Sequence, residues 1–189
     1  MRFYLSDCTV LNERPNLRER YLNILTSEEK EILQNKKSDW HRDQSLMGRA
    51  MIRDICGQSP KISSTGKILI SNGYISLAHS GRYVVLAVAD TPVGIDIEDT
   101  AKDRDFDALA GRMGWILGQD KRLDFYKAFT RYEARYKLGK NQEDTQDIHY
   151  SIKTFIICIN KLNNKEKIYP YYLTPFEEKT QISLDQVEA

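Results

Sequence analysis

Apolar and polar positions alternate along Val93-Gly94-Ile95-Asp96-Ile97-Glu98, which is the period of a half-buried strand. Ile95 and Ile97 then point to one face, and Asp96 and Glu98 to the other. From Arg122 to Leu138 the period lengthens to that of a helix, with Leu123, Tyr126, Phe129, Tyr132, Ala134 and Tyr136 forming a broad apolar stripe. Upstream, Met1–Cys8 predicts a strand, and Ser27-Glu28-Glu29-Lys30 opens a short helix in capping-box manner. A longer helix is predicted over Asp39–Ile55, with Leu46, Met47, Ala50, Met51 and Ile55 on one face and Gly57 as its stop. Gly66–Ser71, Tyr74–Ala78 and Tyr83–Ala89 read as strands, and Thr91-Pro92 turns the chain into the alternating segment.

Beyond it, Asp105–Leu117 is predicted helical. Ser151–Asn160 and Lys167–Leu173 are β-rich and predict a hairpin around Asn163-Asn164. Residues 176–189 are polar and read as a frayed tail. The fold class is α+β, and the C-terminal half echoes the order of the N-terminal half.

Composition narrows the classes of function. The chain has 189 residues, which fits one domain or two small halves sharing a core. A hydrophobic content of 41% and a charged content of 29% are those of an ordinary globular protein. No apolar run approaches the roughly 18 residues that span a bilayer, and Met1-Arg2-Phe3-Tyr4-Leu5 lacks a secretory signal pattern. Cys8, Cys56 and Cys158 are isolated from one another, which predicts reduced packing residues in a cytoplasmic protein. A net charge of +1 argues against a nucleic-acid binder. Charge is uneven, however: Arg112, Lys121, Arg122, Lys127, Arg131, Arg135, Lys137 and Lys140 face only Asp120, Asp124 and Glu133 between Ala110 and Lys140. That run is either a solvated helical face or a docking surface for an acidic partner.

The candidate chemistry is acidic. Asp96 and Glu98 lie about 7 Å apart along a strand and repel unless a positive group sits between them. Glu133 and Lys137 stack on one helix face. Three carboxylates and one lysine suit a hard divalent cation bound to a diphosphate. By themselves, these residues equally fit an edge strand's solvent face and an ordinary helix ion pair worth about 0.3–0.5 kcal/mol.

Taken together, Gly94-Ile95-Asp96-Ile97-Glu98, Phe129-Thr130-Arg131-Tyr132-Glu133-Ala134-Arg135-Tyr136-Lys137, Ala78-His79-Ser80-Gly81 and Gly66-Lys67 resemble, in order, the motifs of the 4′-phosphopantetheinyl transferase family. The likeness runs from about Ser45 to Lys140 and is to the broad-specificity type that activates peptide and polyketide synthetases. It implies two similar α+β halves, about residues 1–91 and 92–175, related by a pseudo-twofold axis with a coenzyme cleft between them. The linker falls near Asp90–Val93. It also implies transfer of phosphopantetheine from coenzyme A to a serine of an acidic acyl, peptidyl or polyketide carrier protein, in fatty-acid or secondary-metabolite biosynthesis, by a monomer.

By the same resemblance Asp96, Glu98 and Glu133 hold Mg²⁺, with Mn²⁺ the other candidate, and Lys137 binds the diphosphate. Glu133 also takes the serine proton. His79, with Ser80, binds coenzyme phosphate, Gly66 and Lys67 line the adenine side, and Ser45 and Arg42 reach the 3′-phosphate. His41 and His149 read as structural or exposed. Departures from the pattern are Tyr132 in place of a lysine, Ala78 in place of a serine and Phe129 in place of a tryptophan. Tyr132 keeps open a degenerate, non-catalytic homologue that binds coenzyme A or carrier, and the acidic residues alone also admit a Mg²⁺-dependent phosphohydrolase.

Overall fold

The computed structural model describes residues 1–63, 67–139, 144–163 and 166–187. In chain order the elements are β1 (Arg2–Asp7), α1 (Val10–Glu13), α2 (Pro15–Asn23), α3 (Ser27–Gln34), α4 (Asp39–Cys56), β2 (Lys61–Ile62), β3 (Ile68–Leu69), β4 (Tyr74–Ser80) and β5 (Tyr83–Ala89). There follow β6 (Val93–Asp99), α5 (Phe106–Met113), α6 (Lys121–Leu138), β7 (Thr145–Ile152), β8 (Phe155–Leu162), β9 (Tyr169–Thr174), β10 (Glu178–Gln181) and β11 (Asp185–Val187). The fold is mixed α+β.

One sheet has the order β10-β9-β1-β5-β4, a second β11-β7-β8-β6, and β2-β3 form a separate pair. The same arrangement occurs in both larger sheets. A strand, a long helix and an antiparallel hairpin follow one another, and the first strand pairs with the last, as β1–α4–β4–β5 and as β6–α6–β7–β8.

Alternation along β1 and β5 divides the interior. Phe3, Leu5, Val85 and Ala87 join Ile95, Ile97, Ile157 and Ile159 in a cluster shared by both sheets. Tyr4, Val84 and Leu86 point the other way, onto Tyr21, Leu46, Met47 and Met51 of α2 and α4. Burial of each such side chain contributes about 1.5–3 kcal/mol, so β1 and β5 are anchored on both faces. The two sheets meet where β4 runs beside β6. Ser76 Oγ accepts from Ile95 N at 3.0 Å and Ser80 Oγ from Asp99 N at 3.2 Å, so serine hydroxyls bridge the seam.

Two expectations fail for physical reasons. The hairpin predicted around Asn163-Asn164 is absent as such, and Asn164 itself lies outside the described residues. β8 turns back to β7 instead, through Lys153 at φ 53°, a tight turn with no Asn-Gly signal. The Lys167–Leu173 stretch supplies β9, which lies parallel to β1 in the other sheet. The predicted frayed tail contains β10, antiparallel to β9, and β11, antiparallel to β7. Both are edge strands, and β10 is exposed throughout, so neither carries an alternation to read. The helix α2 begins at Pro15, which suits a first helical turn, and buries Leu17 and Tyr21.

His149 of β7 is buried beneath α6, its Nε2 3.2 Å from Lys127 O. Burial holds this imidazole below the ordinary value of 6.5. The unfolded chain therefore takes up a proton near that pH that the folded chain refuses, and stability present above it is lost as pH falls through it. A melting temperature that declines from pH 7.5 to pH 5.5, with a shallower decline in His149→Gln, is expected by scanning calorimetry. An identical slope in the variant would exclude His149 as a source.

Candidate functional site

The site starts from a missing side chain. A Cβ on Gly94 would lie 1.8 Å from Ala134 O and 2.9 Å from Leu138 N, so only glycine lets the α6 backbone rest on β6. Thr130, Ala134 and Leu138 form the buried face of α6, which places Glu133 and Lys137 together on one flank. Lys137 Nζ donates to Asp96 Oδ1 at 2.7 Å and to Ile95 O at 3.2 Å. Asp96 is 7% exposed, and its Oδ2 is buried without a hydrogen-bond partner among the described residues. Its carboxyl is pushed up to about 6, chiefly by burial; Lys137 opposes the shift, and Glu98 and Glu133 add to it.

Those effects bring the predicted acidic trio into one electrostatic neighbourhood. Glu98 accepts from Ser80 Oγ at 3.1 Å and lies 3.9 Å from Lys102 Nζ. The Glu133 carboxylate makes no hydrogen bond or ion pair among the described residues. Among the described residues, no group of three or more His, Cys, Asp or Glu side chains is gathered closely enough to hold a metal ion as it stands. Even so, the donor set fits a hard cation. One Asp96 oxygen is fixed by Lys137 and the other is orphaned, beside two further carboxylates.

His79 faces outward from β4, on the opposite side of the strand from Ser80. Its partly enclosed ring is held below the ordinary histidine value, first by burial, then by Lys137, His41 and Lys36. The ring opens onto a cavity of about 410 Å³ lined also by Lys36, Lys37, His41 and Ser45. Ser45 Oγ accepts from Arg49 Nη1 at 2.6 Å, leaving its hydroxyl proton available to a ligand in the cavity.

Of the residues expected here, Ser45 and His79 are brought together, while Arg42 is turned onto Asp39 and does not line the cavity. Lys67 sits in the β2–β3 turn with its N–H on Ser63 Oγ at 3.0 Å, outside the cavity lining, and Gly66 lies outside the described residues. Ser80 is buried, with its hydroxyl committed to the seam and to Glu98. Sequence reasoning missed Lys36 and Lys37 and took His41 for a bystander. The available signal was a lysine pair immediately before the Ser38 cap of α4.

A larger cavity of about 880 Å³ lies on the other flank of α6, beside Trp115, Ile116, Tyr132 and Tyr136. Tyr132 is 48% exposed and meets Trp115 edge-on at 6.1 Å. The basic run is largely neutralised within the chain. Lys121 pairs with Asp107, Arg122 with Asp103, Arg131 and Arg135 with Asp147, and Lys137 with Asp96. The compensating acids come from outside the basic run.

Fold and site together define a mixed α+β protein with a carboxylate–lysine centre. The particular likeness is to the 4′-phosphopantetheinyl transferase Sfp of Bacillus subtilis (strain 168), 28% identical over 96 residues, or 43% of this chain. The match spans 42% of that relative's length. No family model matches the chain. No helix among the described residues is long and apolar enough to cross a membrane.

Proposed function

We propose that this chain transfers 4′-phosphopantetheine from coenzyme A to a serine hydroxyl of an acyl or peptidyl carrier protein, releasing adenosine 3′,5′-bisphosphate. The observation that carries the reading is Asp96: buried, with Lys137 on one oxygen, no partner on the other among the described residues, and two more carboxylates nearby. The repeated strand–helix–hairpin arrangement supports two halves related by a pseudo-twofold axis, with the coenzyme along the β4–β6 seam.

In this reading Lys36, Lys37, His41, Ser45 and His79 receive the 3′-phosphate end of the coenzyme, and Lys137 reaches the diphosphate. Asp96, Glu98 and Glu133 would hold Mg²⁺ or Mn²⁺, which when bound supplies Lewis-acid stabilisation of the diphosphate charge. Glu133 accepts the serine proton as the serine oxygen attacks the phosphorus bearing pantetheine. The bond from that phosphorus to the bisphosphate breaks, and the bisphosphate leaves with the electron pair. Gly66 and Lys67 remain assigned to the adenine side. Tyr132 lies at the solvent side of α6 against Trp115, so its replacement of a lysine takes no cation away from Asp96.

Incubation of an apo-carrier protein with coenzyme A and Mg²⁺ should add one phosphopantetheine by intact mass. Coenzyme binding with no mass gain would favour the non-catalytic reading, and carrier-independent diphosphate cleavage a phosphohydrolase. Lys137→Ala should raise KM for coenzyme A by about tenfold or more, the loss of a charge-assisted contact. An unchanged KM would remove Lys137 from its assigned role.

A further inference from the structure

We propose, resting on the transferase reading above, that Asp147 is a positioning residue that sets the roll of α6 and thereby the reach of Glu133 and Lys137. Successive residues of a helix are about 100° apart, so Arg131 and Arg135 share one flank of α6 while Glu133 and Lys137 share the other. The first flank is tied to β7. Asp147 Oδ1 accepts from Arg135 Nε at 3.2 Å, its Oδ2 lies 3.4 Å from Arg131 Nε, and Asn160 Nδ2 donates to Oδ1 at 2.6 Å. The second flank is tied to β6 through Lys137 and Asp96.

β7 and β6 lie on opposite sides of β8, so the two ties hold the helix from either side of that strand. Between them Ala134 rests on Gly94, which offers no side chain to resist rolling. The Asp147 carboxylate is only 10% exposed, so its charge is balanced by the two arginines, with a hydrogen bond from Asn160, rather than by water. Releasing that tie removes the charged anchor of the first flank and leaves the Lys137–Asp96 ion pair on the second, with the His149 Nε2 contact to Lys127 O farther toward the helix N-terminus. Glu133, which has no partner of its own among the described residues, would follow any roll.

The test uses the full chain, with coenzyme A as the probe, below the melting transition of every variant. Calorimetric titration without divalent cation is compared with steady-state transfer. In Asp147→Asn, the dissociation constant for coenzyme A should rise about tenfold, since small displacements of a positioned group have effects of this size. The KM for carrier should stay unchanged, and Asp147→Glu should restore most of the affinity.

A folded Asp147→Asn protein with wild-type coenzyme affinity would overturn the proposal, as would a change confined to carrier KM. If Asp147→Asn does not fold, the double variant Arg131→Lys/Arg135→Lys keeps both charges but loses the guanidinium fork. The same weakening is expected there, and unchanged affinity again overturns the proposal. Wild-type protein that binds coenzyme A but transfers nothing defeats the transferase reading and leaves the affinity comparison to decide the role of Asp147. Wild-type protein that does not bind coenzyme A defeats both.

Discussion

Asp96→Asn should abolish measurable transfer, a loss of about a thousandfold or more, while the free protein melts higher than wild type at pH 7.5. The two effects share one cause. Burial lifts the Asp96 carboxyl from 3.8 to about 6 despite Lys137. At about 1.4 kcal/mol per pH unit, the ionised folded form therefore carries a penalty of order 3 kcal/mol above pH 6. Asparagine keeps an oxygen for Lys137 and removes the charge.

The sign follows from which state binds the proton. The folded carboxyl takes up a proton near 6 and the unfolded one near 3.8, so wild-type stability lost to this group is regained as pH falls between them. The variant's thermal advantage should accordingly shrink from pH 7.5 to pH 4.5. Millimolar Mg²⁺ should raise the melting temperature of wild type and not of the variant, since a ligand stabilises only the state that binds it. Full activity in Asp96→Asn, or a lower melting temperature at pH 7.5, would show that the acid is not held in the strained, functional state described.

Gly94→Ala is the second large effect. The added carbon would meet Ala134 O at 1.8 Å and Ala134 C at 2.8 Å, both main-chain atoms that no rotamer change can move. The helix must lift from the strand, and about 3 kcal/mol of destabilisation is expected. For a chain of this size that corresponds to a fall of roughly 6–12 °C in melting temperature. Lifting α6 also withdraws Lys137 from Asp96, so transfer should fall further than unfolding alone explains. Gly111→Ala is the control: nothing lies within 4 Å of its added carbon, and it should be neutral or slightly stabilising. Equal melting temperatures for the two variants would mean that α6 is not seated on Gly94.

The elements that carry the site were readable because each announces itself locally. The alternation from Val93 places Ile95 and Ile97 in the shared core and leaves Asp96 and Glu98 toward α6. The apolar spacing and Gly57, at φ 65°, define α4 to within a residue of expectation. The acidic and lysine residues of β6 and α6 could be singled out as chemistry before any packing was known.

Other features had no local signature. Lys36 goes unnoticed and His41 reads as structural or exposed until α4 and β4 enclose a cavity with His79. Arg131 and Arg135 read as free positive charge until β7 brings Asp147 beneath them. The polar strands β10 and β11 exist because β9 and β7 offer open edges, and backbone pairing requires no particular side chain. By itself, then, the sequence determined β1, α4, β4, β5, β6 and α6, the faces they bury and the residues that are candidates for the chemistry, because periodicity and side-chain type are local properties. Tertiary structure alone decided which charges neutralise one another, how high the Asp96 pKa stands and where the chain's end pairs, because each depends on residues far apart in the chain.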